Sequence, residues 1–122
     1  MAKAVHNDVL DAALDVIRDN CNLMIACSAQ PATRAEAVVT HAPADVDMTS
    51  GNFVKAEGDA SGRKLTVAAK ATVPVDAPGD ATHIALVDST RLLYVTTCTL
   101  KGLTVGNTAD FPAWDIEIAD PT

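Results

Sequence analysis

Three histidines, three cysteines and a surplus of carboxylates are the residues equipped for chemistry, and their spacing decides which chemistry is open to them. His6, His41 and His83 fall in three separate segments, and none has a second His or Cys at a metal-ligand interval. Cys21, Cys27 and Cys98 are odd in number and match no zinc spacing. They read as reduced, partly buried thiols; the alternatives are one disulfide with a thiol left over, or a bond between subunits. A triad of Cys98, His83 and Asp88 can be written on paper. No nucleophile-elbow sequence accompanies it, and in so aspartate-rich a chain such combinations arise by chance. The residues therefore point to no catalytic group, no cofactor and no bound metal, and the expectation is that the chain is not an enzyme.

The carboxylates form two pairs, Asp45 with Asp47 and Asp115 with Glu117. Residues two apart on a strand share a face, so each pair could bind calcium or serve as acid and base. The same pattern is the solvent side of a half-buried strand, where charge blocks edge-to-edge aggregation, and that reading is preferred. Ser61-Gly62-Arg63-Lys64 and Gly51-Asn52 are glycine turns without the phosphate-loop pattern, and a strand rather than a helix follows the first. Phe111-Pro112-Ala113-Trp114 is the largest apolar concentration near a terminus. Trp114 reads as core alongside Ile116 and Ile118, or as an anchor for a partner; Phe111, before a proline, is expected in an open loop.

The elements that must position these residues come from a chain of 122 residues, enough for one domain spanning 1–122. Apolar residues make up 48% but aromatics only 3%, so the core is one of Val, Ile, Leu and Ala. Sixteen acidic against nine basic residues give a net charge of −7. Such a surface repels phosphate backbones and anionic lipid, so neither a nucleic acid nor a membrane is expected as partner. Membrane spans need roughly 20 apolar residues. The longest apolar run near the N-terminus, Leu23 to Cys27, is far shorter. Met1-Ala2-Lys3-Ala4 leads into a helix without the apolar stretch of a secretion signal, which suggests a protein made in a cytoplasm.

Leu10, Ala13, Leu14 and Ile17 recur at the spacing of one helical face, which predicts a helix over 7–20 capped by Asn7 or Asp8. Residues 22–122 read as strand and turn: Leu23–Cys27, 37–40, 44–48, 53–56, 63–70, 82–87 and 91–99, a strand or loop over 102–107, and 114–118 before Asp120-Pro121. Turns fall at Ser50-Gly51-Asn52, at Gly58 to Gly62 and at Asp88-Ser89-Thr90. In the last hairpin Ile84 and Leu86 are expected to face Leu93 and Val95, with both strands central to their sheet. The predicted class is mainly β, an antiparallel β-sandwich or small barrel with one N-terminal α-helix.

At this point a resemblance appears. The segments 61–70 (SGRKLTVAAK), 82–88 (THIALVD), 92–97 (LLYVTT) and 112–118 (PAWDIEI) look like those of small tailed-bacteriophage virion proteins, in the same order and at similar spacing over residues 44–122. The resemblance implies a β-rich module that coats or decorates a particle, a virion location, and no catalytic residues to carry over. It implies contact with a major capsid protein or other virion proteins, and a homo-oligomer, with a trimer favoured for a capsid decoration (cement) protein. A neck, tail or fibre-associated protein is the alternative placement, and a calcium- or glycan-binding β-sandwich is the alternative class. The interface candidates are Leu10, Leu14 and Ile17 on the helix together with Phe111 and Trp114; Cys21, Cys27 and Cys98 are the candidates for disulfides between neighbours.

Overall fold

The computed structural model describes residues 5–59 and 61–119; Met1 to Ala4, Ala60 within the expected turn 58–62, and Asp120 to Thr122 lie outside the described residues. Helix α1 (Asn7–Asn20) has the predicted length. Its cap is His6 rather than Asn7 or Asp8: the ring Nδ1 accepts from the Asp8 amide at 3.0 Å, satisfying one of the donors that every helix start leaves open.

Nine strands follow among the described residues: β1 (Leu23–Cys27), β2 (Ala44–Asp47), β3 (Phe53–Glu57), β4 (Arg63–Val67), β5 (Lys70–Pro74), β6 (Gly79–Val87), β7 (Leu92–Leu103), β8 (Thr108–Phe111) and β9 (Trp114–Ile118). They form a four-stranded sheet in the order β2-β1-β6-β7, a three-stranded sheet β3-β4-β9 and the pair β5-β8. Every pairing is antiparallel. The chain is mainly β with one N-terminal helix and sheets packed on each other, a small β-sandwich.

Alternation explains the packing. Met24 and Ala26 of β1 and Ile84 and Leu86 of β6 point to one side of the large sheet, where they meet Phe53, Leu65, Val67 and Ile116 of the second sheet. Leu14 and Ile17 of α1 and Val73 and Phe111 of the β5-β8 pair join the same core. The helix lies on β3 and β4, held at its flanks by ion pairs: Arg63 to Asp11 at 2.8 Å and Lys55 to Asp15 at 2.9 Å. The other side of the large sheet, with Ile25, Cys27, Ala85 and Val87, forms a second cluster under Ala37 and Val38. A sheet covered on both faces accounts for the uninterrupted apolar run of β1.

Several expectations are corrected. Residues 36–40 are a turn of π-helix (Glu36–Thr40), not a strand. Thr33 Oγ1 accepts from the Glu36 amide at 3.2 Å while Glu36 Oε1 accepts from the Ala32 amide at 2.7 Å, a capping arrangement that starts a helical turn. The expected strand 63–70 breaks after Val67, where the chain leaves one sheet for another. Phe111 is not in a loop but ends β8, and it is buried.

In the hairpin, β6 is internal but β7 is the edge. The register slips between Leu86 and Val87, so Val95 lies opposite Ala85 on the second cluster and Tyr94, not Val95, lies opposite Leu86. One extra residue in a bulge moves every side chain beyond it to the other face.

Candidate functional site

The fold sets His83 directly across from Cys27 on paired strands but leaves Asp88 apart from them. His83 sits on β6 with its Nδ1 2.8 Å from Thr82 Oγ1, and Asp88 lies five residues along, roughly 16 Å away at the rise of a strand. Asp88 is buried in the β6–β7 turn and serves that turn. Its carboxylate accepts from the Thr90 amide at 2.8 Å, from the Arg91 amide at 2.5 Å and from Arg91 Nε at 2.7 Å. Those bonds, the Thr90 amide first, hold its carboxyl down at about 2. The Asp88 carbonyl in turn accepts from Arg34 Nε at 2.6 Å, which ties the turn to the segment covering the second cluster.

Of the acidic pairs, Asp115 accepts from Thr66 Oγ1 at 2.8 Å and Glu117 from the Asp59 amide at 2.7 Å, so both are engaged within or beside their own sheet. Asp45 is half-buried, and burial, then Asp76 and Asp47, push its carboxyl up. Among the described residues no group of three or more His, Cys, Asp or Glu is arranged to hold a metal ion. No helix among them is long and apolar enough to cross a membrane.

All three cysteines are free thiols. Burial drives Cys21 and Cys27 up to about 11, and raises Cys98 as well, so none is a ready thiolate. Cys98 alone is partly exposed. The five interface candidates are distributed unevenly. Leu10, Leu14, Ile17 and Phe111 are covered by the chain itself. Trp114 is half-buried, stacked on Tyr94 at 5.9 Å between ring centroids, where the edges of the two larger sheets meet.

Two outward-facing features stand out. The first is the free edge of β7, which pairs only with β6. Along its twelve residues there is a single charge, Lys101, and Leu100 is 63% exposed. Every other strand at a sheet edge carries an acidic residue or a proline: Asp45 and Asp47 in β2, Glu57 in β3, Pro74 in β5, Asp110 in β8, Asp115 and Glu117 in β9. The second is a cleft between the C-terminal half of β7 and β8, a cavity of about 240 Å³. It exists because β7 makes a second slip: Ala81 pairs with Lys101 but His83 with Thr97, so two extra residues of β7 bow out over Ala81 and Ile84. On the β8 side, Asp110 Oδ1 accepts from the amide of Thr72 at 2.8 Å, holding that threonine at a φ of 58°. A β-branched residue enters the left-handed region only when its surroundings impose it, so this rim is built around the Asp110 contact.

Sequence reasoning missed both features. The cleft depends on a register slip and on β8, for which the weak alternation of Ala109 and Phe111 was the one signal. Compared with protein-family models, with curated proteins and with solved structures, the chain finds no match.

Proposed function

We propose that this chain is a structural component of a tailed-bacteriophage virion, a capsid decoration protein that stabilises the head through lattice contacts. The observation that carries the proposal is the edge of β7, exposed at Thr97 and from Thr99 to Gly102 with Lys101 as its one charge, on a chain of net charge −7. An unpaired strand is a template for another polypeptide, and Lys101 alone guards this one, where every other sheet edge carries a carboxylate or a proline. The resemblance of residues 44–122 to small virion proteins points the same way. Stabilisation would follow from mass action. A protein that binds the assembled shell and not its separated subunits favours the shell by about 2.7 kcal/mol per site at a free concentration 100 times Kd. Many weak contacts on one lattice add through avidity.

The test is co-sedimentation of purified protein with empty shells assembled from the major capsid protein of the same phage, beside light scattering on the free protein. Saturable binding to shells, lost in Leu100→Glu with no change in melting temperature, is the expected result. Failure of the wild-type protein to bind shells overturns the proposal. Binding to isolated necks or tails instead would move it to the neck, tail or fibre. Stabilisation by calcium or by a glycan, without shell binding, would identify a ligand-binding sandwich.

A further inference from the structure

The cleft between β7 and β8 opens beside the exposed stretch of β7 and offers a small ligand what a strand edge does not, an apolar floor. Its floor is small and apolar: Ala26, Ala81 and Ala109 with Ile84 and Leu103, closed by Phe111. Three alanines at the point where β7 bows outward leave space that larger side chains would have filled. An apolar cavity of ~150 Å³ takes a benzene ring, and this one is about 240 Å³. It is smaller than the ~300 Å³ at which drug-sized pockets begin, which limits the ligand to one ring with a short substituent.

The mouth supplies the second half of the recognition. Lys101 lines it and the neighbouring cleft beside Leu103, is exposed, and, like Lys70, forms no ion pair among the described residues. Asp110, the other charged group at the mouth, has one carboxylate oxygen occupied by the Thr72 amide. A free ammonium at the mouth of an apolar cavity favours a ligand whose polar end is anionic, and the nearby carboxylate disfavours a second negative charge. Cys98 in the wall remains a neutral thiol, because burial opposes its ionisation, so the wall stays apolar at neutral pH.

We infer that this cavity is a binding site for a small monoanionic acid with a single apolar ring, the ring seated against Ala81, Ala109 and Phe111 and the carboxylate at Lys101. The site shares β7 with the proposed edge contact, since Cys98, Thr99, Lys101 and Leu103 line it, but its test involves no shells, so either reading can fail without the other.

The experiment uses the whole protein with three probes that share a ring and differ in charge: phenylacetate, benzyl alcohol and benzylamine. Binding is read by amide shifts and by the rate at which a small thiol reagent modifies Cys98, the only partly exposed thiol. Phenylacetate is expected to slow Cys98 modification and to shift Ala81, Lys101 and Ala109. Benzyl alcohol is expected to bind roughly two- to fivefold more weakly, the size of an exposed ion pair, and benzylamine more weakly still. Lys101→Met should bring the acid down to the level of the alcohol and leave the alcohol unchanged, and Ala109→Leu should abolish binding by filling the space. If Ala109→Leu fails to fold, the ranking on the wild-type protein and the Lys101→Met series still decide. Equal binding of acid, alcohol and amine, no protection of Cys98 by any of them, or shifts confined to residues outside the cleft overturns the inference.

Discussion

Two aspartates show how surroundings assign opposite roles to one side chain. Asp88 is ionised because two amides and the Arg91 guanidinium converge on it, which holds its carboxyl at about 2. A carboxyl depressed in the folded state contributes stability that is complete above the unfolded pKa of about 3.9 and is lost as pH falls toward the folded value. Asp88→Asn is therefore expected to melt below the wild type at pH 7, with the gap closing between pH ~4 and ~2. Asp45 is the reverse, its carboxyl raised by burial and then by Asp76 and Asp47. A raised carboxyl contributes stability only at low pH and loses it as the pH rises through the folded value. Asp45→Asn should melt above the wild type at neutral pH and match it below pH ~3. One thermal scan of both variants across pH checks the two signs together, and a gap of the opposite sign in either would contradict the assigned surroundings.

Among elements, helix α1 is the sharpest case. Its inward face carries Leu14 at 0% exposure and its outward face Val9 at 60%, so two aliphatic residues on one helix have different fates. Leu14→Ala is expected to cost about 2–5 kcal/mol through the cavity it leaves, and Val9→Ala to stay within about 0.5 kcal/mol. Urea unfolding of the two variants measures this, and equal effects would mean that the helix does not dock on its own sandwich. The turn between β3 and β4 depends on Gly62, at a φ of 74°, where a Cβ would fall 1.9 Å from the Ile118 carbonyl oxygen. Gly62→Ala should cost more than about 1 kcal/mol by the same measurement, since both the backbone angle and the contact oppose a side chain.

At the scale of the molecule, the large sheet is shared by both apolar clusters, with β1 and β6 contributing alternate residues to each. Neither cluster can be lost while the other keeps its wall. Unfolding is therefore expected to be a single transition, with Trp114 fluorescence and backbone circular dichroism tracing coincident curves in urea. Separate midpoints would show that residues 28–43 and the second cluster come apart first.

Periodicity alone determined a good deal. The helix over 7–20 follows from Leu10, Leu14 and Ile17, and the antiparallel β class follows from short alternating runs between glycine and proline turns, because burial of one face imposes those periods wherever the chain folds. The Thr33-x-x-Glu36 spacing also held a local signal for the π-helical turn, outweighed by the apolar look of residues 37–39. What only the tertiary structure decided is whatever depends on pairing. Which strand lies at an edge, where β7 slips against β6, and that Phe111 closes a cavity instead of standing in a loop are set by contacts between residues far apart in sequence. A bulge has no period of its own, and the sum of many cross-strand contacts, not the composition of either strand, selects its position.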